Sequence, residues 1–290
     1  MPGRRAPKVA PRRALEPVEP ATEPAAHTGS EETPEETSQP DELTFGQHVV
    51  AFFKELAGVV VAAVLVASLL RGFVGQMFLI PSESMEDTLH VNDRVLVEKL
   101  SSIKRGQIVV FRDPGGWLTG VDTKDRGPIG KAFQFIGILP DTSTEHLIKR
   151  AIGLPGDRVM CCDDQGRVVV NEQPLDETSY LPTSADGSST KPSTIEFDVV
   201  VPADRVFVMG DNRDHSRDSR CHLNDVQAGA NKGDNAFVPK DLVVGRAIAV
   251  LWPIGHAGGL QIPATFEQLP AGKVPAPVTA EIDAGSEANC

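Results

Sequence analysis

A serine that acts as a nucleophile needs a group to take its proton, and two stretches of this 290-residue chain supply such a pair. Pro81-Ser82-Glu83-Ser84-Met85-Glu86-Asp87-Thr88-Leu89 follows directly on an apolar run ending at Ile80, where Ser-x-Ser-Met is an odd choice for a structural loop. The proton acceptor need not be histidine. A lysine kept neutral also serves, because burial disfavours the charged form and lowers a lysine pKa by up to about 3 to 5 units. The stretch His146-Leu147-Ile148-Lys149-Arg150-Ala151-Ile152-Gly153-Leu154-Pro155-Gly156-Asp157 offers one. Alternation puts Leu147 and Lys149 on one face of a strand, with Ile148 and Arg150 on the other. Ser84 is therefore the expected nucleophile and Lys149 the expected base.

With these residues in view, the chain resembles the bacterial type I signal peptidases, Ser/Lys proteases of the membrane surface. Four further stretches match that family in order: residues 92–99 (NDRVLVEK), residues 105–111 (RGQIVVF), the Lys149 segment IKRAIGLPGDRV, and residues 210–220 (GDNRDHSRDSR). With the apolar segment they cover roughly residues 50 to 253. The resemblance implies a mostly β fold, an antiparallel β-sheet catalytic domain anchored by one N-terminal transmembrane helix. It implies a membrane-bound serine endopeptidase that removes N-terminal signal peptides from secreted preproteins, cutting after small, Ala-x-Ala-like residues through an acyl-enzyme. No cofactor or metal is expected. The implied partners are signal peptides of preproteins, the lipid bilayer and the secretion translocon.

The same resemblance assigns roles residue by residue. The Ser84 amide and the Ser82 hydroxyl form the oxyanion hole; Ser216, with Ser219 its nearest rival, orients the base; Asp218 and Arg220 are a supporting ion pair. Phe78, Ile80, Met85, Leu89, Leu147 and Ile148 match the shallow substrate pockets, although each is equally compatible with plain core. Asp87 stands where the family usually has proline, and Glu83 replaces a frequent glycine, a variation associated with actinobacterial members. An insertion to Ala236 follows the last signature. These departures bear on the rim of the site rather than on its chemistry.

The elements that must position these residues follow from composition. Residues 1–47 are rich in Pro, Glu, Ala and Thr and nearly devoid of large apolar groups, so they read as a disordered tail. Leu56 to Ile80 contains a single charge, Arg71, and is long enough to cross a bilayer, which needs about 20 apolar residues. The anchor is assigned to 48–77, with Arg71 snorkelling toward headgroups at its outer end. Lys54 and Arg71 flank the span too evenly for the positive-inside rule to orient it, so the cytoplasmic placement of the amino terminus rests on the resemblance. The extracytoplasmic domain is assigned to 78–255, with insertions near 112–145, 176–193 and 223–236, and 256–290 to a flexible tail.

Net charge −12 argues against a nucleic-acid role. Cys161, Cys162, Cys221 and Cys290 lack zinc-like pairs, and adjacent cysteines are poorly placed to bridge each other. One of Cys161 and Cys162 is therefore a candidate partner for Cys221, with Cys290 unpaired. Two rival classes are a self-cleaving Ser/Lys repressor, which lacks a membrane span, and an anchored β-rich binding module without catalysis. His146, His215 and His222 occur in no recognisable triad motif.

Overall fold

The computed structural model describes residues 44–118, 127, 130, 131, 133, 146–183, 187–273 and 275–285. Most of the amino-terminal tail, most of the 112–145 stretch, Cys290 and the Arg71 side chain lie outside the described residues.

Helix α1 spans Phe45–Phe73. Its start is set by Thr44-Phe45-Gly46-Gln47: the Gln47 side-chain oxygen accepts from the Thr44 amide at 2.7 Å and from the Thr44 hydroxyl at 3.1 Å, satisfying an N–H that has no intrahelical partner. From Leu56 to Leu69 the helix carries no charged side chain, and Phe52, Val59 and Leu65 are exposed along it, as suits a segment long and apolar enough to cross a membrane. The anchor expected over 48–77 stops earlier, because Gly75–Leu79 is already strand β1. Gly75 lets β1 lie close on its neighbour: a Cβ there would come within 2.9 Å of the Val97 carbonyl oxygen.

The following strands are β2 (Arg94–Glu98), β3 (Ile108–Arg112), β4 (His146–Gly153), β5 (Arg158–Cys161), β6 (Val168–Val170), β7 (Gln173–Pro174), β8 (Phe197–Val200), β9 (Arg205–Met209), β10 (Val238–Pro239), β11 (Val243–Trp252), β12 (Gly258–Gly259) and β13 (Glu281–Ala284). All pairings among the described residues are antiparallel. One sheet runs β1-β2-β11-β3-β4-β9-β10, with β12 on β11; the other runs β13-β8-β5-β6-β7. The mostly β architecture expected from the sequence is present, as is the hairpin of β5 and β6. The family-matching stretches 92–99 and 105–111 contain strands β2 and β3, but these strands are not neighbours. The late strand β11 inserts between β2 and β3.

Strand β3 shows why this sheet is a core element. Ile108 and Val110 join one apolar cluster with Phe78, Met85 and Ile148, while Val109 and Phe111 join another with Ala151, Val206 and Val208. Alternate side chains thus bury both faces of the strand, and its sequence is accordingly apolar from Ile108 to Phe111, before the exposed Arg112. A third cluster joins the two sheets, pairing Val159, Phe197 and Val199 with Phe207, Met209 and Phe237.

Two sequence expectations are corrected. The stretch 256–290 is docked as far as Gly285 rather than trailing as a flexible tail: Phe266 is buried, Ile262, Leu269 and Ile282 pack on the third cluster, and β13 pairs with β8. The Lys273 amide donates to the Gly156 carbonyl at 2.7 Å, and Gly156, with φ of 84°, leaves no room for a Cβ, which would stand 2.2 Å from the Lys273 oxygen. These anchors are scattered among prolines and glycines, so they show no period. The cysteines also differ from expectation. Cys161 and Cys162 bridge each other, their Cα atoms 2.9 Å apart, and Cys221 belongs to a different disulfide. Cys221 is held in the Ser219–His222 turn, where its sulfur accepts from the Asp218 amide.

Candidate active site

Ser84 lies in the loop between β1 and β2, whose base is closed by two backbone bonds, Ile80 N to Asp93 O at 2.9 Å and Asn92 N to Ile80 O at 2.8 Å. Apolar residues hold the loop down: Met85 and Leu89 are fully buried beside Ile80. Lys149 sits in the middle of β4, paired with β3 on one side and β9 on the other. These two elements bring together groups 65 residues apart, with Lys149 Nζ and Ser84 Oγ hydrogen-bonded at 2.6 Å. Lys149 is 3 % exposed and Ser84 5 %.

Burial is the largest influence on Lys149 and lowers its pKa from 10.5 to about 8; the carboxylates of Asp218 and Asp211 pull the other way, and Arg220 reinforces the fall. At pH 7 about a tenth of the amine is then neutral, against a negligible fraction for an ordinary lysine. In that form its lone pair can accept the serine proton.

The last signature wraps around this pair. Asn212 N donates to the Ser84 carbonyl at 3.2 Å, and Asn212 Nδ2 to the Glu83 carbonyl at 3.2 Å. Thr88 Oγ1 donates to Asp211 at 2.6 Å, and Arg150, the neighbour of Lys149, donates to both Asp211 oxygens and to the Gly106 carbonyl. The nucleophile loop and strand β4 are therefore tied to one buried carboxylate. Gly210 is needed for this closeness, since a Cβ would fall 2.1 Å from Ser216 Oγ and 2.5 Å from the Ser84 carbonyl oxygen.

Asp218 and Arg220 form a buried ion pair at 2.9 Å. Burial alone would raise the Asp218 pKa, but the Arg220 charge and hydrogen bonds from Arg220, Gly210 and Ser216 outweigh it and lower the value. Among the described residues Ser216 Oγ donates to Asp218 at 2.8 Å rather than to Lys149. Asp218 in turn acts on Lys149 as a nearby negative charge that favours its protonated form. Ser219 faces elsewhere, accepting from the Val208 amide. Ser82 is exposed, its hydroxyl 3.4 Å from that of Ser84.

Of the six residues matched to substrate pockets, Phe78, Ile80, Met85, Leu89 and Ile148 belong to a single buried cluster next to the nucleophile loop, and Leu147 packs on the other face of the sheet. None of the three histidines stands in for the base. His146 packs on Phe78, His215 is exposed, and His222 is buried against Trp117, where burial lowers its pKa despite Asp225.

Sequence reasoning missed Glu177 and Tyr180. Arg213 of the signature donates to Glu177 at 2.5 Å, Tyr180 donates to the same carboxylate at 2.6 Å, and the Arg150 guanidinium lies 4.3 Å over the Tyr180 ring. Both fall in a polar stretch that reads as an insertion. Only the burial of an acid would have marked it.

Residues 53–252 match the family described as Signal peptidase, peptidase S26. The chain is similar to the probable signal peptidase I of Mycobacterium leprae, 38% identical over 228 residues that cover 71% of this chain and 78% of that one. It is also similar to the signal peptidase I of Mycobacterium tuberculosis, 37% identical over 227 residues covering 71% and 74% of the two chains. The signal peptidase I of Leptolyngbya laminosa is 34% identical over 208 residues, covering 70% and 82%.

Proposed function

Since the chain belongs to the signal peptidase family, peptidase S26, and is a membrane-anchored signal peptidase I that removes signal peptides from preproteins, we propose that it does so through Ser84 and Lys149 as nucleophile and base. The observation that carries this reading is the 2.6 Å contact between Ser84 Oγ and a lysine amine whose burial lowers its pKa to about 8, so that a working fraction is neutral near pH 7.

Ser84 Oγ attacks the carbonyl carbon of the scissile bond while its proton passes to neutral Lys149 Nζ. The resulting oxyanion is held by the Ser84 backbone N–H and the Ser82 hydroxyl, donors aimed at charge that exists only in the transition state. The C–N bond then breaks. Lys149 gives its proton to the departing amine, which is the new amino terminus of the mature protein, and the signal peptide remains as an ester on Ser84. Neutral Lys149 next takes a proton from water, the hydroxide oxygen attacks the ester carbonyl, and the proton returns to Ser84 Oγ as the ester bond breaks. Ser216 and Asp218 position the lysine, with Arg220 holding Asp218.

The catalytic domain lies outside the cytoplasm, assigned to residues 78–255 with the docked segment that follows, and the amino-terminal tail lies inside. The bilayer holds enzyme and signal peptide in one plane and raises their effective concentration, and the translocon delivers the substrate. Phe78, Ile80, Met85, Leu89 and Ile148 form one buried apolar cluster beside the nucleophile loop, which supports assigning to them the floor of shallow pockets that take small side chains.

The test is cleavage of a preprotein by the full chain in lipid. With alanine at the last and third-last positions of the signal peptide, cutting is expected between the alanine and the mature sequence. Leucine at either position is expected to lower kcat/KM by about a hundredfold, the scale on which a shallow apolar pocket discriminates size. Equal cleavage of both substrates would reject the pocket assignment; no cleavage of either would reject the reading itself.

A further inference from the structure

We propose that His90, Asp93 and His256 bind one divalent transition-metal cation of the zinc class, and that this cation clips the base of the nucleophile loop to the turn that follows β11. The site is separate from the Ser84 and Lys149 pair and does not depend on the roles assigned to them.

His90 and Asp93 lie on the descending limb of the nucleophile loop, where Asp93 also makes the backbone bond to Ile80 that closes it. His256 ends the short turn Ile254–His256, 163 residues further along the chain. The Asp93 side chain is 1% exposed. Its Oδ2 accepts from the His90 amide at 2.9 Å, which fixes the carboxylate's direction. His256 Nδ1 stands 3.1 Å from Oδ1 and 2.9 Å from Oδ2 of that carboxylate. The His90 ring meets the His256 ring edge-on, with centroids 4.3 Å apart. One donor atom from each of the three residues lies within 4.8 Å of the others, the one such group among the described residues.

Two imidazoles and a carboxylate are a nitrogen-rich set that suits zinc-class cations, whereas magnesium and calcium favour six or more oxygens. Zinc bonds of about 2.0 to 2.2 Å put neighbouring donors about 3.3 Å apart, so the set closes on the cation with a modest swing of the exposed His90 ring. His256 is half-buried, and the solvent side of the site leaves a coordination position for water. A simple Asp–His pair would use only one of these imidazoles. The second one is what makes a metal site, and the carboxylate already turned by the His90 amide gives that site its rigid member.

The test uses the full chain in detergent, stripped with a chelator and titrated with zinc chloride by calorimetry. One saturable equivalent is expected, with a rise of about 5 °C or more in the unfolding midpoint at a hundredfold excess over Kd. His90→Ala and His256→Ala are each expected to weaken binding at least tenfold, and the double variant to abolish it. Both positions are at the surface, so these variants are expected to fold; Asp93→Asn is avoided because its carboxylate is buried. Cobalt(II) in the wild-type chain is expected to give the intense visible band of a four-coordinate ion. Failure of the wild type to saturate below about 1 mM zinc, or undiminished binding by the folded double variant, would overturn the proposal.

Discussion

Ser84→Ala and Lys149→Met are each expected to reduce preprotein cleavage by about ten-thousandfold or more, and the double variant to be no worse than either single one. The reason is that in the proposed mechanism Ser84 Oγ and Lys149 Nζ, 2.6 Å apart, are the two ends of a single proton transfer. Without the amine the hydroxyl is too weak a nucleophile, and without the oxygen the amine has nothing to deprotonate. Lys149→Arg should be as inactive as Lys149→Met although it keeps length and charge, because a guanidinium does not deprotonate in this range. The losses must arise without unfolding, and here the sign of the pKa shift helps. Burial lowers the folded-state pKa of Lys149 to about 8 from 10.5, so the unfolded chain holds the proton more tightly. This lysine therefore costs stability below about pH 8, a cost that recedes as pH rises toward 10.5. Methionine at this position removes that cost, so the melting temperature at neutral pH is expected to hold or rise. Thermal unfolding followed by circular dichroism beside the cleavage assay separates loss of chemistry from loss of fold.

The second large effect is on stability. Arg213→Met is expected to destabilise the catalytic domain by about 3 to 5 kcal/mol, the cost of stranding a buried charge, and to lower its melting temperature by about 10 °C. Arg213 and Glu177 are both nearly inaccessible, at 1% and 2% side-chain exposure. Burial opposes the Arg213 charge, but the Glu177 carboxylate outweighs it and raises the pKa. Without the guanidinium, Glu177 keeps, among the described residues, only the Tyr180 hydroxyl as a side-chain partner. Arg213 also donates to the carbonyls of Gly210 and Pro192, so the signature loop and the 176–193 stretch come apart together. Adding Glu177→Gln to Arg213→Met should recover part of the loss by removing the stranded charge. A melt unchanged in Arg213→Met would mean that water reaches the pair and that it is not a core element.

The chemistry was more legible in the sequence than its supports. Ser84 and Lys149 stand out because a Ser-x-Ser-Met loop and a lysine inside an apolar strand are each costly to keep for structure alone. The alternation of Leu147 and Ile148 likewise foretells that they enter different clusters. What the sequence hides is long-range. Nothing local says that β11 must slide between β2 and β3, because strand order is decided by which faces remain unburied once the chain has collapsed. Nothing in Asp176-Glu177-Thr178-Ser179-Tyr180 distinguishes a buried acid from a solvated one, and only the arrival of Arg213 settles it. The C-terminal docking is similarly invisible, since Phe266 and Ile282 are isolated apolar residues until the third cluster receives them. Ser216 is the intermediate case. Its place in the signature is readable, but the geometry that sends its hydroxyl to Asp218 depends on the close approach at Gly210.

The most direct test of a neutral buried lysine as the base is the pH dependence of kcat/KM for preprotein cleavage, measured from about pH 5 to about pH 10 in one lipid preparation. If the neutral amine is the active form, as proposed, the rate rises with pH and levels off through a single ionisation with a midpoint near 8, falling about tenfold per pH unit below it, while Lys149→Met stays at the floor throughout. A midpoint in the histidine range, about 6 to 7, that persists in Lys149→Met would contradict the assignment and move the base to another residue.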